Sequence, residues 1–177
     1  VKGLPVTNTD WIQQVMRRHQ GGLVRYALHI LGDVEAARDV AQDTFLRLCK
    51  ADREKVEDHV TPWLYRVCRN RALDIKRKGK PMRQASELQL ARRESDAPSP
   101  AAEAETSQAV GQVMQHMEEL SEKQQEVVRL KFQHGLSYRQ IARVPEQSVT
   151  NVGYLLHTAI KTLRELMEEP PATRRVP

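Results

Sequence analysis

Apolar residues recur every three or four positions along the chain, and every strong periodicity is that of an α-helix face. The clearest stripe follows Asp33, a residue type suited to capping a helix N-terminus, and runs through Val34, Ala37, Ala41, Phe45 and Leu48. Upstream, apolar positions on both sides of Gly21-Gly22 predict two shorter helices that separate at the glycines. These upstream positions are Trp11, Val15, Leu23, Ala27 and Ile30.

A further helix is predicted to start at Thr61-Pro62, a pair typical of an N-cap and first helical residue, and to stop near Gly79. Its inward positions are Leu64, Val67 or Cys68, and Ile75. The preceding segment, about 51–60, is predicted to be a loop. Together these helices predict one N-terminal bundle.

Three N-terminal capping signals mark the second half of the chain. Ser121 and Ser137 each have a glutamine three residues later, and Ser148 precedes the last apolar stripe. That stripe contains Val149, Val152, Leu156, Ala159 or Ile160, Leu163, and Leu166 or Met167. With a first helix from about Thr106, a C-cap at Gly135 and a stop at Pro170-Pro171, four helices are predicted.

The third of these helices is short, about 138–144, and a tight turn separates it from the last. This is the signature of a helix-turn-helix, whose last helix enters the major groove of DNA. Its outward residues near the start of the last helix are predicted to be Thr150, Asn151, Tyr154 and His157. Asn can pair with adenine, Thr can touch a thymine methyl, and Tyr and His can reach phosphates. The alternative is an ordinary helical cluster with a polar surface.

Between the two halves the helical pattern is lost. Residues 97–102 are Pro, Ala and Ser flanked by acidic residues, a composition typical of a tether. The expected fold class is therefore all-α, with two small helical domains joined by a flexible linker. The expected boundaries are 1–83, a linker at 84–108, a second domain at 109–169 and a tail at 170–177.

The charge of the chain is concentrated in one segment. The 177 residues carry a formal net charge of +5, yet residues 61–83 alone hold eight basic residues and one acid. A basic run is often only a solvated helix face. Here it lies beside Trp63, Tyr65 and Asn70, a mixture that suits phosphate contact together with base stacking and so favours a nucleic acid as partner.

Several other classes of protein are disfavoured. The apolar runs are too short for a membrane span, and the first residues lack the apolar stretch of a secretory signal, so a cytoplasmic protein is expected. Cys49 and Cys68 have no Cys-x-x-Cys pairing, which argues against a disulfide scaffold or a zinc site. Both are expected to be buried thiols.

Asp39 and Asp43 are one helical turn apart, as carboxylates that bind Mg²⁺ in a helical enzyme would be. Such an enzyme needs a second acidic cluster, and the nearest group, Glu57-Asp58-His59, falls in the predicted loop. The motifs of phosphate loops, serine hydrolases and zinc proteases are missing from the sequence. We therefore expect no catalytic residue, metal or cofactor, and interpret the acidic face as solvated surface or a docking site for a basic partner.

Two sets of motifs resemble those of one protein family. DVAQDTFLRL at 39–48 and WLYRV at 63–67, followed by Asn70, Asp74 and Arg77, resemble region 2 of bacterial ECF (extracytoplasmic function) sigma factors. LSEKQQEVVRL at 120–130 and GLSYRQIA at 135–142, followed by Ser148, Val149 and Val152, resemble region 4. The second set alone also resembles other helix-turn-helix regulators, and the first set distinguishes between them.

The resemblance implies a subunit that binds core RNA polymerase and directs promoter recognition, DNA opening and transcription initiation. Docking on the clamp helices of polymerase would use Asp39, Gln42, Asp43 and Phe45. Contact with the minus-ten element would use Trp63, Arg66, Arg69, Asn70, Arg71, Asp74 and Arg77, with residues 51–60 capturing a flipped base. Trp63 is equally well explained as a core residue beside Leu64.

By the same resemblance, the second domain would pack on the polymerase flap and read the minus-thirty-five element through residues 148–157. The DNA-contacting residues would be Arg139, Ser148, Thr150, Asn151, Tyr154 and His157. An anti-sigma factor is a further expected partner, and no membrane insertion is expected. The alternative function is a stand-alone helix-turn-helix regulator, and a Mg-dependent helical enzyme is the third.

The chain departs from the family pattern at three positions. Gly153 and Leu155 stand where relatives often carry Lys or Arg, and Glu146 stands where they often carry Gly. Glycine inside a helix costs about 1 kcal/mol relative to Ala. Gly153 either allows close approach to a DNA phosphate or marks a different upstream sequence.

Overall fold

The computed structural model describes residues 7–79 and 116–168. The chain divides into two compact units, and in the described ranges all regular secondary structure is helical, which confirms the all-α prediction. The predicted linker at 84–108, the tail at 170–177 and the helix expected from Thr106 lie outside these ranges, so the domain boundaries stay predictions. No helix within the described ranges is long and apolar enough to cross a membrane.

The first helix, α1, runs without a break over Asn8–Leu31, so the predicted separation at Gly21-Gly22 is wrong. Thr7 caps its start by accepting from the Asp10 backbone N–H at 3.1 Å, and Gly32 ends it at φ 70°. Neither interior glycine has a positive φ. The helical cost of about 1 kcal/mol per glycine is offset because residues after them, such as the fully buried Leu23, pack into the core.

The second helix, α2, spans Val34–Lys50 and confirms the prediction made from its stripe. The Asp33 carboxylate caps it by accepting from the Ala36 N–H at 2.8 Å. The buried residues are Ala37, Val40, Ala41, Thr44, Phe45 and Leu48, whereas Val34 is half-buried. Thr44 is polar but satisfied, because its hydroxyl donates to the Val40 carbonyl oxygen at 2.8 Å.

The predicted loop at 51–60 is largely helical. It contains α3, Arg53–Val56, and a 3-10 turn, Glu57–His59, before α4 at Val60–Arg77. Asp52 caps α3, and Val56 is buried, which anchors the segment. Thr61 is therefore not an N-cap, and Pro62 lies in the first turn of α4, where backbone N–H groups need no intrahelical partner.

The core of the first unit forms where α1 packs against both α2 and α4. The rings of Tyr26 and Tyr65 meet edge to face, with centroids 5.3 Å apart. Cys68 is fully buried in the same unit, and its thiol donates to the Leu23 carbonyl oxygen at 3.7 Å. Burial raises the pKa of Cys68 to about 12. Cys49 is exposed, which contradicts its predicted burial, because it lies next to the buried stripe of α2 rather than on it.

In the second unit, all three predicted serine caps are confirmed. Ser121 forms a capping box at the start of α5, Glu122–Val128, and Ser137 forms one with Gln140 before α6, Tyr138–Arg143. Ser148 caps α7, Val149–Glu168, by accepting from the Asn151 N–H at 3.1 Å.

Two features of the second unit differ from the sequence prediction. α5 continues into a π-helical segment, Arg129–Gln133, before Gly135 reverses the chain at φ 67°. In α7 the interior positions Val152, Leu156, Ala159 and Leu163 are buried as predicted. Val149 and Met167, in the first and last turns, are nearly half exposed, because they lie outside this buried stretch.

His19 gives the first unit a dependence on pH. It is buried in α1, and its Nε2 lies 3.4 Å from Thr61 Oγ1 at the start of α4. Burial lowers the pKa of His19 below 6.5, and the charge of Arg18 acts in the same direction. The unfolded chain therefore binds a proton at a higher pH than the folded chain, so acid favours unfolding.

We expect the free energy of unfolding to be highest above pH 6.5 and to decrease as the pH falls from 6.5 towards the lowered folded-state pKa. Urea denaturation of the full chain across this range measures the effect. His19→Gln should flatten the dependence while keeping a hydrogen-bonding group near Thr61. His59→Gln, in the same unit, is the control, and equal slopes for the two variants would contradict the assignment.

Candidate nucleic-acid interface

The residues predicted to contact minus-ten DNA all lie on α4, along about 21 Å of helix. Arg66, Asn70 and Arg77 are exposed, and their spacing of four and seven residues places them close to one face. Trp63, Arg69, Arg71 and Asp74 are half-buried. An open depression on this helix is lined by Arg69, Asn70, Leu73, Asp74, Lys76 and Arg77. α4 thus presents an amide among guanidinium groups, which can contact phosphates while the amide meets a base.

Part of the positive charge of α4 is compensated within the protein. Arg77 forms an ion pair with Asp74 on the same helix. Arg71 Nε donates to Asp43 Oδ2 on α2 at 2.9 Å, so a residue predicted to touch DNA is bonded to one predicted to touch polymerase. Neither pair is visible in the count of charges along the sequence.

On α2, three of the four residues predicted to dock a protein are accessible. Asp39 and Gln42 are exposed and Asp43 is half-buried, so all three are accessible. Phe45 is 5% exposed, so its ring packs in the core and would support docking only by holding the helix in place.

Leu46 is a surface residue that the sequence analysis did not single out. Its side chain is 52% exposed and follows Gln42 by one turn and Asp39 by two. The available signal was that Leu46 falls between Phe45 and Leu48, off the buried stripe of α2. The exposed surface of α2 therefore combines an acid, an amide and an apolar side chain.

The acidic residues around 57–59 do not form a second carboxylate site. Glu57 accepts two hydrogen bonds from Arg53, at 2.8 and 3.1 Å, and these bonds lower the pKa of its carboxyl group. The Arg53 guanidinium also lies 5.2 Å from the ring centre of Trp11. Within residues 7–79 and 116–168, no three His, Cys, Asp or Glu side chains are grouped as metal ligands.

In the second unit, the predicted outward residues of α7 are confirmed as exposed. Thr150, Asn151 and His157 are exposed, and Tyr154 is 65% exposed. Arg139 on α6 and the cap residue Ser148 are exposed as well. The Asn151 amide nitrogen donates to Gln147 Oε1 at 2.8 Å. A bidentate contact with adenine uses one N–H and the amide oxygen, so the second N–H of this group can serve it while the bond to Gln147 is kept.

Two of the three departures from the family pattern, at positions 146 and 153, can be related to the local structure. Glu146 has φ 54°, a left-handed conformation that favours glycine, the residue expected there from the family resemblance. At Gly153, an added Cβ would lie 3.9 Å from the Tyr138 ring. Lys131 Nζ lies 5.6 Å from the centre of the same ring. The π-helical segment thus places a positively charged side chain against the Tyr138 ring.

Two family descriptions match the chain. The family description Sigma-70 region 2 matches residues 15–81, and Sigma-70, region 4 matches residues 111–163. The ECF RNA polymerase sigma factor SigL of Mycobacterium tuberculosis is 27% identical over 98% of both chains. The ECF RNA polymerase sigma factor SigM of Bacillus subtilis is 26% identical over 88% of this chain and 94% of its own.

Two solved structures share the fold. CnrH, in complex with the cytosolic domain of CnrY, aligns with a TM-score of 0.62 and 25% identity over 91% of this chain and 90% of its own. The sigma factor RpoE of Bartonella quintana, in complex with the anti-sigma factor NepR, aligns with a TM-score of 0.60 and 18% identity. That alignment covers 90% of this chain and 98% of the other.

Gly153→Ala is expected to stabilise the second unit by up to about 1 kcal/mol, because Ala is the better helix former. The new Cβ would make an ordinary van der Waals contact with the Tyr138 ring at 3.9 Å. Thermal denaturation of the full chain measures the change. Gly135→Ala is the matched control and should destabilise, because that glycine has φ 67°. A loss of stability in Gly153→Ala would mean that the ring cannot accommodate a methyl group.

Proposed function

Because the chain belongs to the ECF RNA polymerase sigma factors, we propose that its three exposed helix surfaces divide the work of transcription initiation. In this proposal α2 docks on core RNA polymerase, α4 opens the minus-ten element, and α7 reads the minus-thirty-five element. The observation that carries the assignment is the exposed amide of Asn70 among the cations of α4. A stand-alone regulator would have no use for this surface, nor for a region 2 match.

On α4, Asn70 would contact an unstacked base of the non-template strand, while Arg66 and Arg77 hold neighbouring phosphates. Their shared exposed face supports this division, because a single strand can follow the helix and meet all three side chains. Trp63 is half-buried at the start of the helix, so part of its ring is accessible for stacking. Since phosphate contacts release counterions, binding should weaken steeply with salt.

The segment 51–60 would capture the flipped base of the opened strand. It is held in a defined shape by the cap at Asp52, by buried Val56 and by the Arg53–Glu57 pair. A segment that already has a defined conformation loses less conformational entropy when it binds a base. This supports the proposal that the segment captures the flipped base.

On α2, the exposed side chains Asp39, Gln42 and Leu46 would form the surface that meets the clamp helices of polymerase. A surface of this mixed composition suits a partner helix that offers cations around an apolar strip. Asp43 extends this surface towards α4. The second unit would pack on the flap of polymerase, and the work of both units would take place in the cytoplasm.

On α7, Thr150 and Asn151 would read bases from the first turns of the helix, with Tyr154 and His157 nearer the phosphates. Arg139 and Ser148 would add backbone contacts beside them. The exposure of these residues at the N-terminal half of a capped helix supports the assignment.

A protein inhibitor of the anti-sigma kind is a further proposed partner. The support comes from the 25% identical structure of CnrH, which is a complex with the cytosolic domain of CnrY. We propose no catalytic step, cofactor or metal for the chain.

Asn70→Ala and Arg77→Ala are each expected to reduce promoter opening by roughly tenfold, the effect of losing a contact worth about 1.4 kcal/mol. Binding to core polymerase should remain at the wild-type level. Run-off transcription and permanganate reactivity of the opened bases measure opening. Arg164→Ala on α7 is the charge control. Opening that survives in both variants would refute the role of α4.

Thr150→Ala with Asn151→Ala is expected to abolish the preference for the upstream element while leaving opening at the minus-ten element intact. Replacing the upstream element in the promoter should then lower run-off transcription by wild-type protein but not by the variant. Lys161→Ala, farther along α7, is the matched control. A variant that still distinguishes the two promoters would place upstream recognition elsewhere.

A further inference from the structure

The ion pair between Asp43 and Arg71 joins α2 to α4. Arg71 Nε lies 2.9 Å from Asp43 Oδ2, and both side chains remain accessible, at 36% and 42% exposure. The contact crosses between two helices that pack side by side in the first unit. By contrast, Arg77 pairs with Asp74 and Arg38 pairs with Glu35 within their own helices.

Each member of the pair lies at the edge of a surface assigned to a different partner. Asp43 borders Asp39 and Gln42 on α2, and Arg71 follows Asn70 on α4. A phosphate that engages Arg71 competes with Asp43 for the same guanidinium, and a cation that engages Asp43 competes with Arg71. The two binding events therefore share one contact.

We infer that the Asp43–Arg71 ion pair couples polymerase docking on α2 to DNA binding on α4. This inference rests on the proposed function. In the free protein Asp43 compensates Arg71 and weakens its hold on a phosphate. When a cation of polymerase takes Asp43, Arg71 is released to the DNA strand. Asp43 is thus a positioning residue for Arg71 as well as a docking residue.

The strength of the pair suits exchange. An ion pair between partly exposed side chains contributes little net stability, because water and salt screen it and both side chains lose rotamer freedom. Polymerase binding at Asp43 or DNA binding at Arg71 can therefore break the ion pair at a small cost in free energy. Linkage requires that the coupling be reciprocal, so DNA contact at Arg71 strengthens polymerase binding at Asp43 by the same factor.

The first test measures binding of the full chain to a labelled single-stranded DNA of mixed sequence, without polymerase, by fluorescence anisotropy. Asp43→Asn should bind roughly two- to fivefold more tightly than wild type, the range that release of an exposed pair allows. The plot of log affinity of Asp43→Asn for this DNA against log salt concentration should be steeper than that of wild type by about 0.7, the value for one added phosphate contact on a single strand.

Glu35→Gln is the matched control for the first test. It removes one carboxylate charge from the same helix and breaks a more exposed ion pair, whose partner Arg38 lies on α2 and not on α4. In an Arg71→Gln background, Asp43→Asn should lose its advantage over Glu35→Gln. Equal affinities of Asp43→Asn and Glu35→Gln in the wild-type background would overturn the coupling.

The reciprocal test measures affinity for core polymerase. Arg71→Gln should bind polymerase roughly two- to fivefold more tightly than wild type, because Asp43 is released. Arg164→Gln carries the same loss of charge and should not. Equal affinities of these two variants would overturn the coupling. If Arg71→Gln keeps full DNA affinity and Asp39→Asn keeps full polymerase affinity, the proposed function fails as well as the coupling.

Discussion

Burial of one face of α1 against both α2 and α4 is the constraint on which the first unit depends. Leu23 and Ala27 are fully buried, and Tyr26 meets Tyr65 of α4 edge to face. Burying these side chains supplies the free energy that holds three helices together and keeps α1 continuous through its two glycines. The same packing leaves α2 and α4 each with one outward surface, so the core determines which of their residues are accessible to a partner.

The helices that the sequence predicted well are those with local signals. A cap residue and an apolar stripe at helical spacing act within a few residues of each other, as at Asp33 and Ser121. The failures are places where contacts distant in the chain outweigh local preference. Gly21-Gly22 remains helical because both halves of α1 reach one core, and residues 51–60 become helical because buried Val56 anchors them.

The candidate surfaces were predictable to the extent that helical phase determines exposure. Asn70, Tyr154 and Asp39 are exposed as the periodicity implies, and Phe45 is buried because it belongs to the stripe of α2. The Asp43–Arg71 pair has no sequence signal, since its members are 28 positions apart and come together only through the packing of α2 on α4. The approach of the Tyr138 ring to Gly153 likewise has no signal in the sequence, because it depends on the packing of α6 on α7.

The approach of position 153 to the Tyr138 ring has a consequence for substitutions on α7. The Tyr138 ring lies 3.9 Å from the place that a Cβ at position 153 would occupy. Any side chain introduced at 153 would start beside this ring, and the Lys131 ammonium lies 5.6 Å from the centre of the same ring. A variant at 153 is therefore best designed together with position 138, because the two positions share one contact.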